Sequence, residues 1–182
     1  RFIYRTNNRD GYFSLYLCEA ATGKVLKRLT DVNADVEMVG QDDKFVYYTS
    51  AEVSPVDNHL FRVEVKSGKK TRLTQAEGWH KVTMSGDMKY FVDNYSSLKV
   101  PRVILLVQND GKKVKELLKA EDPTKDYNFG EITLGTVKSA DGKFNNYYRL
   151  IKPMNFDASR KYPVIVYVYG GPHSQMVKNT LQ

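Results

Sequence analysis

Three stretches of this chain share one pattern: SLYLCEAATGKVLKRLT over residues 14–30, HLFRVEVKSGKKTRLT over 59–74, and RVILLVQNDGKKVKEL over 102–117. Each begins with a short apolar run, turns at a Gly-Lys pair, and continues to a leucine. The turn glycines Gly23, Gly68 and Gly111 are 45 and then 43 residues apart. A repeat of this length, built from short strands, is typical of a propeller blade with four strands.

Further strand candidates lie between these hairpins. Residues 46–49 (VYYT) and 90–93 (YFVD) are short β-branched and aromatic runs, and each follows a polar turn. Only residues 114–120 suggest a helical turn. Closely spaced short strands indicate an all-β structure. We therefore predict about three blades' worth of strands of a partial β-propeller over residues 1–125, with a two-sheet sandwich as the alternative.

Composition excludes several classes of protein. The net charge is +7, and its densest cluster, residues 112–115, follows the turn at Gly111, which indicates a solvated hairpin tip. No nucleic-acid-binding motif accompanies the charge. Cys18 is the only cysteine, so no disulfide can form within the chain. No run of 18 apolar residues is present to span a membrane. Because the chain begins at Arg1 without methionine or a signal peptide, we expect a piece of a longer protein.

The spacing changes after a linker at residues 120–129. Residues 131–139 and 145–152 predict two antiparallel strands around the tight turn Asp141-Gly142. Residues 162–169 (YPVIVYVY) are apolar without alternation, which is typical of a parallel strand covered on both faces. This order predicts the truncated opening of an α/β-hydrolase domain over residues 126–182. The fold class is therefore mainly β, a partial propeller followed by hydrolase strands.

A resemblance to a known family rests on the last part of the chain. Residues 155–175 (NFDASRKYPVIVYVYGGPHSQ) resemble the entry to the catalytic domain of the prolyl oligopeptidase family. The ending VYGGPHSQ over residues 168–175 is most similar to the dipeptidyl peptidase IV branch. Upstream, residues 47–61 and 89–97 resemble the last blades of the bacterial members' propeller. The resemblance thus covers nearly the whole chain.

This resemblance implies a function for the parent protein. It implies a serine exopeptidase of the dipeptidyl peptidase type, whose peptide substrates carry proline or alanine in the second position. It also implies a homodimer, located in the periplasm or secreted by a bacterium. The sequence contains no phosphate-binding glycine loop and no metal-ligand motif, so we expect no cofactor and no metal. The alternatives are a TolB-like propeller that serves as a binding module, or another family member such as an oligopeptidase or acylaminoacyl peptidase.

Tyr169 is the one candidate catalytic residue. Attack on a peptide carbonyl builds negative charge on oxygen, and donors placed in advance around that oxygen lower the barrier. The family resemblance implies that the Tyr169 hydroxyl is such an oxyanion-hole donor. Gly170 and Gly171 would let substrate and backbone approach closely. The plain alternative is that Tyr169 is only an aromatic residue at the end of a strand.

The residues that would complete a catalytic triad are absent from the sequence. A serine peptidase of this fold needs Gly-x-Ser-x-Gly at a strand-to-helix turn, and no such motif occurs in the 182 residues. Ser174 follows His173 in a predicted loop and is not a candidate nucleophile. We expect His59 and His80 to be loop or strand-end residues, and His173 to line the cleft without a catalytic role. The chain alone is therefore predicted to be inactive.

Overall fold

The structure is a computed structural model and describes residues 1–171 and 174–181. The described residues form thirteen strands and no helix. The strands are β1 (Phe2–Thr6), β2 (Ser14–Cys18), β3 (Val25–Arg28), β4 (Val36–Gln41), β5 (Phe45–Ser50), β6 (His59–Glu64), β7 (Lys70–Arg72), β8 (Trp79–Met84), β9 (Tyr90–Ser97), β10 (Val100–Gln108), β11 (Lys113–Lys119), β12 (Ile132–Lys138) and β13 (Asn145–Ile151).

The first eleven strands form three antiparallel meanders. Strands β1–β3 make a three-stranded sheet, β4–β7 a four-stranded sheet, and β8–β11 another four-stranded sheet. We call these sheets blade 1, blade 2 and blade 3. Successive meanders that pack face to face are the architecture of a propeller, so the predicted partial propeller is confirmed.

Blade 2 is buried on both faces, as its central strand shows. Side chains of a strand alternate between the two faces of the sheet. In β5, Val46 and Tyr48 therefore join a core with blade 1, while Tyr47 between them joins a core with blade 3. All three are almost fully buried. A sheet in a two-sheet sandwich would bury only one face, so the sandwich alternative does not fit.

The Gly-Lys turns that mark the repeat require glycine. Gly23 and Gly68 have φ angles of 70° and 78°, in the left-handed region that side chains with a Cβ rarely adopt. Their N–H groups donate to the carbonyl oxygens of Glu19 and Glu64, at 2.9 and 2.7 Å. The two hairpins are thus closed by the same hydrogen bond, which explains why the Gly-Lys pair recurs.

The repeated Leu-Thr ending also has a structural cause. The Thr30 hydroxyl oxygen accepts a hydrogen bond from the N–H of Leu15 at 2.9 Å. The Thr74 hydroxyl oxygen accepts the equivalent bond from the N–H of Leu60 at 3.0 Å. These groups are buried, and a buried N–H without an acceptor is costly. Each threonine therefore continues the hydrogen-bonding ladder beyond the end of an outer strand.

The third repeat departs from the other two. The helical turn predicted for residues 114–120 is wrong, because β11 (Lys113–Lys119) pairs with β10 along most of its length. Lys119 stands opposite Val103, and the following N–H, of Ala120, donates to the carbonyl oxygen of Arg102. The edge of β10 provides hydrogen-bonding partners that local helix propensity cannot match. The side chains of β11 remain exposed.

The chain beyond the linker begins as predicted. Strands β12 and β13 form an isolated antiparallel hairpin, and Gly142 in the turn has a φ angle of 71°. These bounds lie within one residue of the predicted strands at each end. The hairpin is largely exposed, with Ile151 at 64% and Val137 at 58% of full exposure.

The buried strand predicted over residues 162–169 is not formed. Residues 161–170 have no strand pairing, and Ile165 is 97% exposed. A strand of this type needs a hydrogen-bonded neighbour and a layer on each face. None of the described residues supplies these. The apolar run is therefore unpaired and exposed, and the predicted boundary at residue 125 stays a prediction.

Candidate active site

Tyr169 lies where the apolar segment reaches a cleft. The cleft has a volume of about 1050 Å³ and is bounded by blades 1 and 2, strand β13 and the segment around Tyr169. Its walls combine charged, polar and aromatic side chains, including those of Arg5, Tyr12, Glu37, Thr49, Asn58, Trp79, Tyr147, Tyr169 and Gln175. With 59% of its surface exposed, Tyr169 can present its hydroxyl to a bound molecule.

The two glycines after Tyr169 differ in what they allow. A Cβ atom at Gly171 would lie 2.6 Å from the Tyr169 hydroxyl oxygen, closer than real atoms approach. The tyrosine ring therefore folds back over the backbone of Gly171, and only glycine accommodates it without a shift. Nothing lies within 4 Å of a Cβ at Gly170, so its surroundings are open. Pro172 and His173, the latter predicted to line the cleft, lie outside the described residues.

Ser174 has no catalytic partner among the described residues. Its hydroxyl is exposed, and its hydrogen bond runs to the sulfur of Met176 at 4.0 Å. A nucleophilic serine needs a base within hydrogen-bonding distance. That Ser174 is not a nucleophile stays a prediction.

The chain after the Tyr169 loop docks onto the propeller. We call residues 174–181 the strap. The side-chain amide of Gln175 donates to the carbonyl oxygen of Pro55, in the loop between β5 and β6. Further along, the ammonium group of Lys178 lies 4.6 Å from the centre of the Trp79 ring. From the opposite side, Arg149 of β13 donates to the carbonyl oxygen of Thr180 at 3.1 Å. The strap therefore joins the β12–β13 hairpin to the propeller.

A buried histidine pair supports the propeller wall behind the strap. His59 begins β6 and His80 is the second residue of β8, so their predicted strand-end positions are confirmed. Both side chains are almost fully buried, and their rings lie 5.0 Å apart. His80 Nδ1 is 2.8 Å from a carboxylate oxygen of Asp93, and Nε2 is 2.8 Å from the carbonyl oxygen of Ala76. Both ring nitrogens of His80 therefore have an oxygen atom within hydrogen-bonding distance.

His59 differs from His80 in the groups that surround its ring. Burial lowers the pKa of His59 to about 4, and the nearby His80 and Arg72 charges add to the effect. Its Nδ1 lies 3.1 Å from the Thr74 hydroxyl oxygen, the same oxygen that accepts the Leu60 N–H. The two rings pack against each other and support the interface between blades 2 and 3.

Sequence reasoning missed the histidine pair and the strap. One signal for the pair was available, because Asp93 alternates in β9 with Phe91, a buried apolar residue. A carboxylate on the buried face of a strand needs a partner, and the structure places His80 there. No comparable signal exists for the strap, whose partners lie about 80 to 120 residues earlier in the chain.

The described residues hold no group of three or more His, Cys, Asp or Glu side chains arranged to bind a metal. Among them there is likewise no helix long and apolar enough to cross a membrane. The candidate site therefore rests on one polar donor, the phenol of Tyr169. This residue is exposed and lies beside the cleft, and the strap that follows it contacts the propeller.

Comparison with known proteins identifies the family of this chain. The model of the dipeptidyl peptidase IV N-terminal region matches residues 1–102, more than half of the chain. The chain belongs to the dipeptidyl peptidase IV family. The propeller strands of blades 1 and 2 and most of blade 3 fall within this match.

Relatives and solved structures agree with this family. Human dipeptidyl peptidase 8 is 32% identical over 147 residues, which cover 75% of this chain and 16% of that protein. Dipeptidyl peptidase 4 of Arthroderma otae is 27% identical over 180 residues, 94% of this chain and 23% of that protein. The crystal structure of a putative dipeptidyl aminopeptidase IV from Bacteroides ovatus matches with a TM-score of 0.86 and 38% identity, covering 98% of this chain and 28% of that one.

A second solved structure matches the same share of the chain. Porphyromonas gingivalis dipeptidyl peptidase 4 matches with a TM-score of 0.89 and 30% identity, over 98% of this chain and 26% of that chain. The chain spans less than a third of the length of each of these family members. The similarity therefore includes the β12–β13 hairpin and the strap as well as the dipeptidyl peptidase IV propeller region.

Proposed function

We propose that the whole protein containing this chain is a serine exopeptidase of the dipeptidyl peptidase IV type. It would release N-terminal dipeptides from peptides with proline or alanine in the second position. Membership of the dipeptidyl peptidase IV family supports this proposal, as does the similarity to several dipeptidyl peptidases. In this proposal residues 1–125 belong to the propeller and residues 126–182 open the peptidase domain.

The observation that carries the proposal for this chain is the position of Tyr169. Tyr169 is 59% exposed, precedes two glycines and lines the cleft, which supports a role for its hydroxyl toward a bound substrate. A neutral phenol donates one hydrogen bond to a developing oxyanion without adding a charge to the ground state. The backbone N–H after the nucleophilic serine, elsewhere in the whole protein, would be the second donor.

Replacing the Tyr169 hydroxyl tests this role. In the whole protein, Tyr169→Phe keeps the ring over Gly171 but removes the donor. We expect kcat on a Gly-Pro chromogenic substrate to fall about 100- to 1000-fold, with a smaller change in KM, because the bond forms mainly in the transition state. Tyr127→Phe, at an exposed linker position, is the matched control. An unchanged kcat in Tyr169→Phe would remove Tyr169 from the oxyanion hole.

Substrate choice separates the proposal from its neighbours in the family. A dipeptidyl peptidase requires a free amino terminus and cleaves after the second residue. An acylaminoacyl peptidase or oligopeptidase would instead accept N-acetylated or internally placed substrates. Comparing a Gly-Pro substrate with its N-acetylated form decides between them, and no cleavage of either would favour the TolB-like binding module.

We also propose that the whole protein is a homodimer exported by a bacterium, to the periplasm or the medium. The bacterial sources of the two solved structures support the second part. Fractionation of the native host with detection of the protein checks its location, and sedimentation of the purified whole protein checks the dimer.

A further inference from the structure

Asn179 is the centre of the contact between strap and propeller. Its backbone N–H donates to the carbonyl oxygen of Val56 at 2.7 Å. Its side-chain NH2 donates to a carboxylate oxygen of Asp57 at 2.9 Å, and its side-chain oxygen accepts from the N–H of Leu98 at 3.0 Å. One asparagine thus uses its backbone donor and both ends of its amide on the propeller.

The partners of Asn179 come from two different blades. Val56 and Asp57 lie in the loop between β5 and β6 of blade 2, while Leu98 lies in the turn between β9 and β10 of blade 3. The same loop of blade 2 is also bonded to β8 of blade 3, because the Asn58 side chain donates to the carbonyl oxygen of His80 at 2.7 Å. The strap therefore rests on a braced part of the propeller.

The chemistry of Asp57 makes this contact selective. Its side chain belongs to a residue only 8% exposed, and a buried carboxylate needs donors to offset its lost hydration. Asn179 is the side-chain donor that the structure places on it. A hydrogen bond to a charged acceptor is stronger than one between neutral groups, so this contact outweighs the others of the strap.

The position of Asn179 in the chain gives the contact its consequence. It lies ten residues after Tyr169, so its contacts tether the chain that follows Tyr169. Neighbouring strap contacts act in the same direction, since the Thr180 hydroxyl bonds the Ser96 hydroxyl and Lys178 lies over Trp79. Holding this end to the propeller limits where the loop can lie.

We propose that Asn179 is a positioning residue: its side chain clasps neighbouring loops of blades 2 and 3 and so fixes the loop that carries Tyr169 over the cleft. The effect on catalysis rests on the function proposed above. The clasp itself is a contact between segments of one chain and can be measured without any activity.

Hydrogen exchange in the whole protein tests the clasp. In Asn179→Ala, amides in peptides covering residues 54–58, 97–99 and 174–181 should exchange about 10- to 100-fold faster, because bonds to a charged acceptor and to a backbone N–H are lost. Asn128→Ala, at an exposed linker position, is the matched control and should leave these peptides unchanged. Unchanged exchange in Asn179→Ala would overturn the proposal, whatever the enzyme's activity.

Exchanging the two polar side chains provides a rescue. Asn179→Asp places a carboxylate against Asp57 and should speed exchange as much as Asn179→Ala does. Adding Asp57→Asn restores one donor and one acceptor, while the carboxylate at position 179 still accepts from Leu98. Exchange in the double variant should return to within about threefold of the original protein. Failure of this rescue while both single variants remain folded would contradict the assigned contact.

Kinetics test the link to Tyr169. In Asn179→Ala, kcat should fall about 10- to 100-fold with little change in KM, since a small displacement of a catalytic group costs rate more than binding. In a Tyr169→Phe background the same substitution should cost less than about threefold. Equal losses in both backgrounds would overturn the positioning role. If the unaltered protein has no peptidase activity, the proposed function fails and hydrogen exchange alone decides the clasp.

Discussion

At the scale of single residues, the two buried histidines differ in the groups that their rings contact. His59 and His80 are adjacent, yet His80 faces two oxygen acceptors while His59 faces a hydroxyl and a second ring. Burial lowers the pKa of His59, and its electrostatic interaction with His80 lowers it further. His59 is thus held neutral in the folded protein.

The lowered pKa of His59 predicts sensitivity to acid. An unfolded histidine takes up a proton near pH 6.5, whereas folded His59 does so near pH 4, so the unfolded state binds more protons between these values. The free energy of unfolding should therefore decrease as the pH falls from about 6.5 to 4, by about 2–3 kcal/mol from this residue.

Urea unfolding at pH 7 and pH 4.5 measures this effect. His59→Asn removes the titrating ring and should reduce the difference in stability between the two pH values, whatever it costs at pH 7. An equal difference in both proteins would show that His59 does not cause the acid sensitivity. The Asp42 carboxyl does not contribute in this pH range, because hydrogen bonds from the Phe45 and Lys44 N–H groups and the Tyr47 hydroxyl lower its pKa despite burial, so its effect on stability is lost only at lower pH.

At the scale of the elements, each blade is stabilised by a few buried polar bonds that recur with the repeat. The Thr30 and Thr74 hydroxyls occupy equivalent positions after β3 and β7. Each accepts a hydrogen bond from the N–H of a core leucine in the neighbouring inner strand, Leu15 in β2 or Leu60 in β6. Blade 3 has Lys119 and exposed side chains at its outer strand instead, and lacks this bond. The Gly-Lys turn therefore recurs in all three blades, whereas the Leu-Thr ending is missing from blade 3.

Removing one of these hydroxyls should destabilise blade 2. Thr74→Val keeps the shape of the side chain but leaves the Leu60 N–H without an acceptor, so we expect a loss of about 1–3 kcal/mol in the free energy of unfolding. Thr71→Val, on the outer strand β7 of the same sheet, should change stability by less than about 0.5 kcal/mol. Equal effects of the two substitutions in thermal or urea unfolding would contradict the role of the Thr74 hydroxyl.

At the scale of the whole molecule, the propeller strands are packed and the segment beyond the linker is not. The cores between blades 1 and 2 and between blades 2 and 3 are continuous, while Val164 to Tyr169 are at least 59% exposed. An apolar segment of this kind is a surface that a sheet and its covering layers would bury. The chain thus contains one part of the proposed active site, the segment that ends at Tyr169.

This division predicts that the 182-residue chain, purified by itself, cleaves no dipeptide from a Gly-Pro chromogenic substrate. It has the proposed oxyanion donor but no Gly-x-Ser-x-Gly motif to supply a nucleophile, and the donor alone forms no acyl intermediate. The whole protein at equal molar concentration is the positive control. Measurable turnover by the short chain, resistant to removal of contaminating peptidases, would refute the prediction.

Much of this protein could be predicted from local patterns. Local patterns predicted the Gly-Lys turns, the alternating strands and the Asp141-Gly142 hairpin. These features depend on the backbone preferences of a few residues and on the alternation of buried and exposed side chains along a strand, and both can be recognised in a short stretch of sequence. Residues 114–120 and 162–169 were predicted wrongly because their state depends on a neighbour: β11 has β10 to pair with, and the apolar segment has no strand beside it. Only the tertiary structure brought Asn179 to Asp57 and His80 to Asp93, since hydrogen bonds between residues far apart in the chain leave no periodic signal in the sequence.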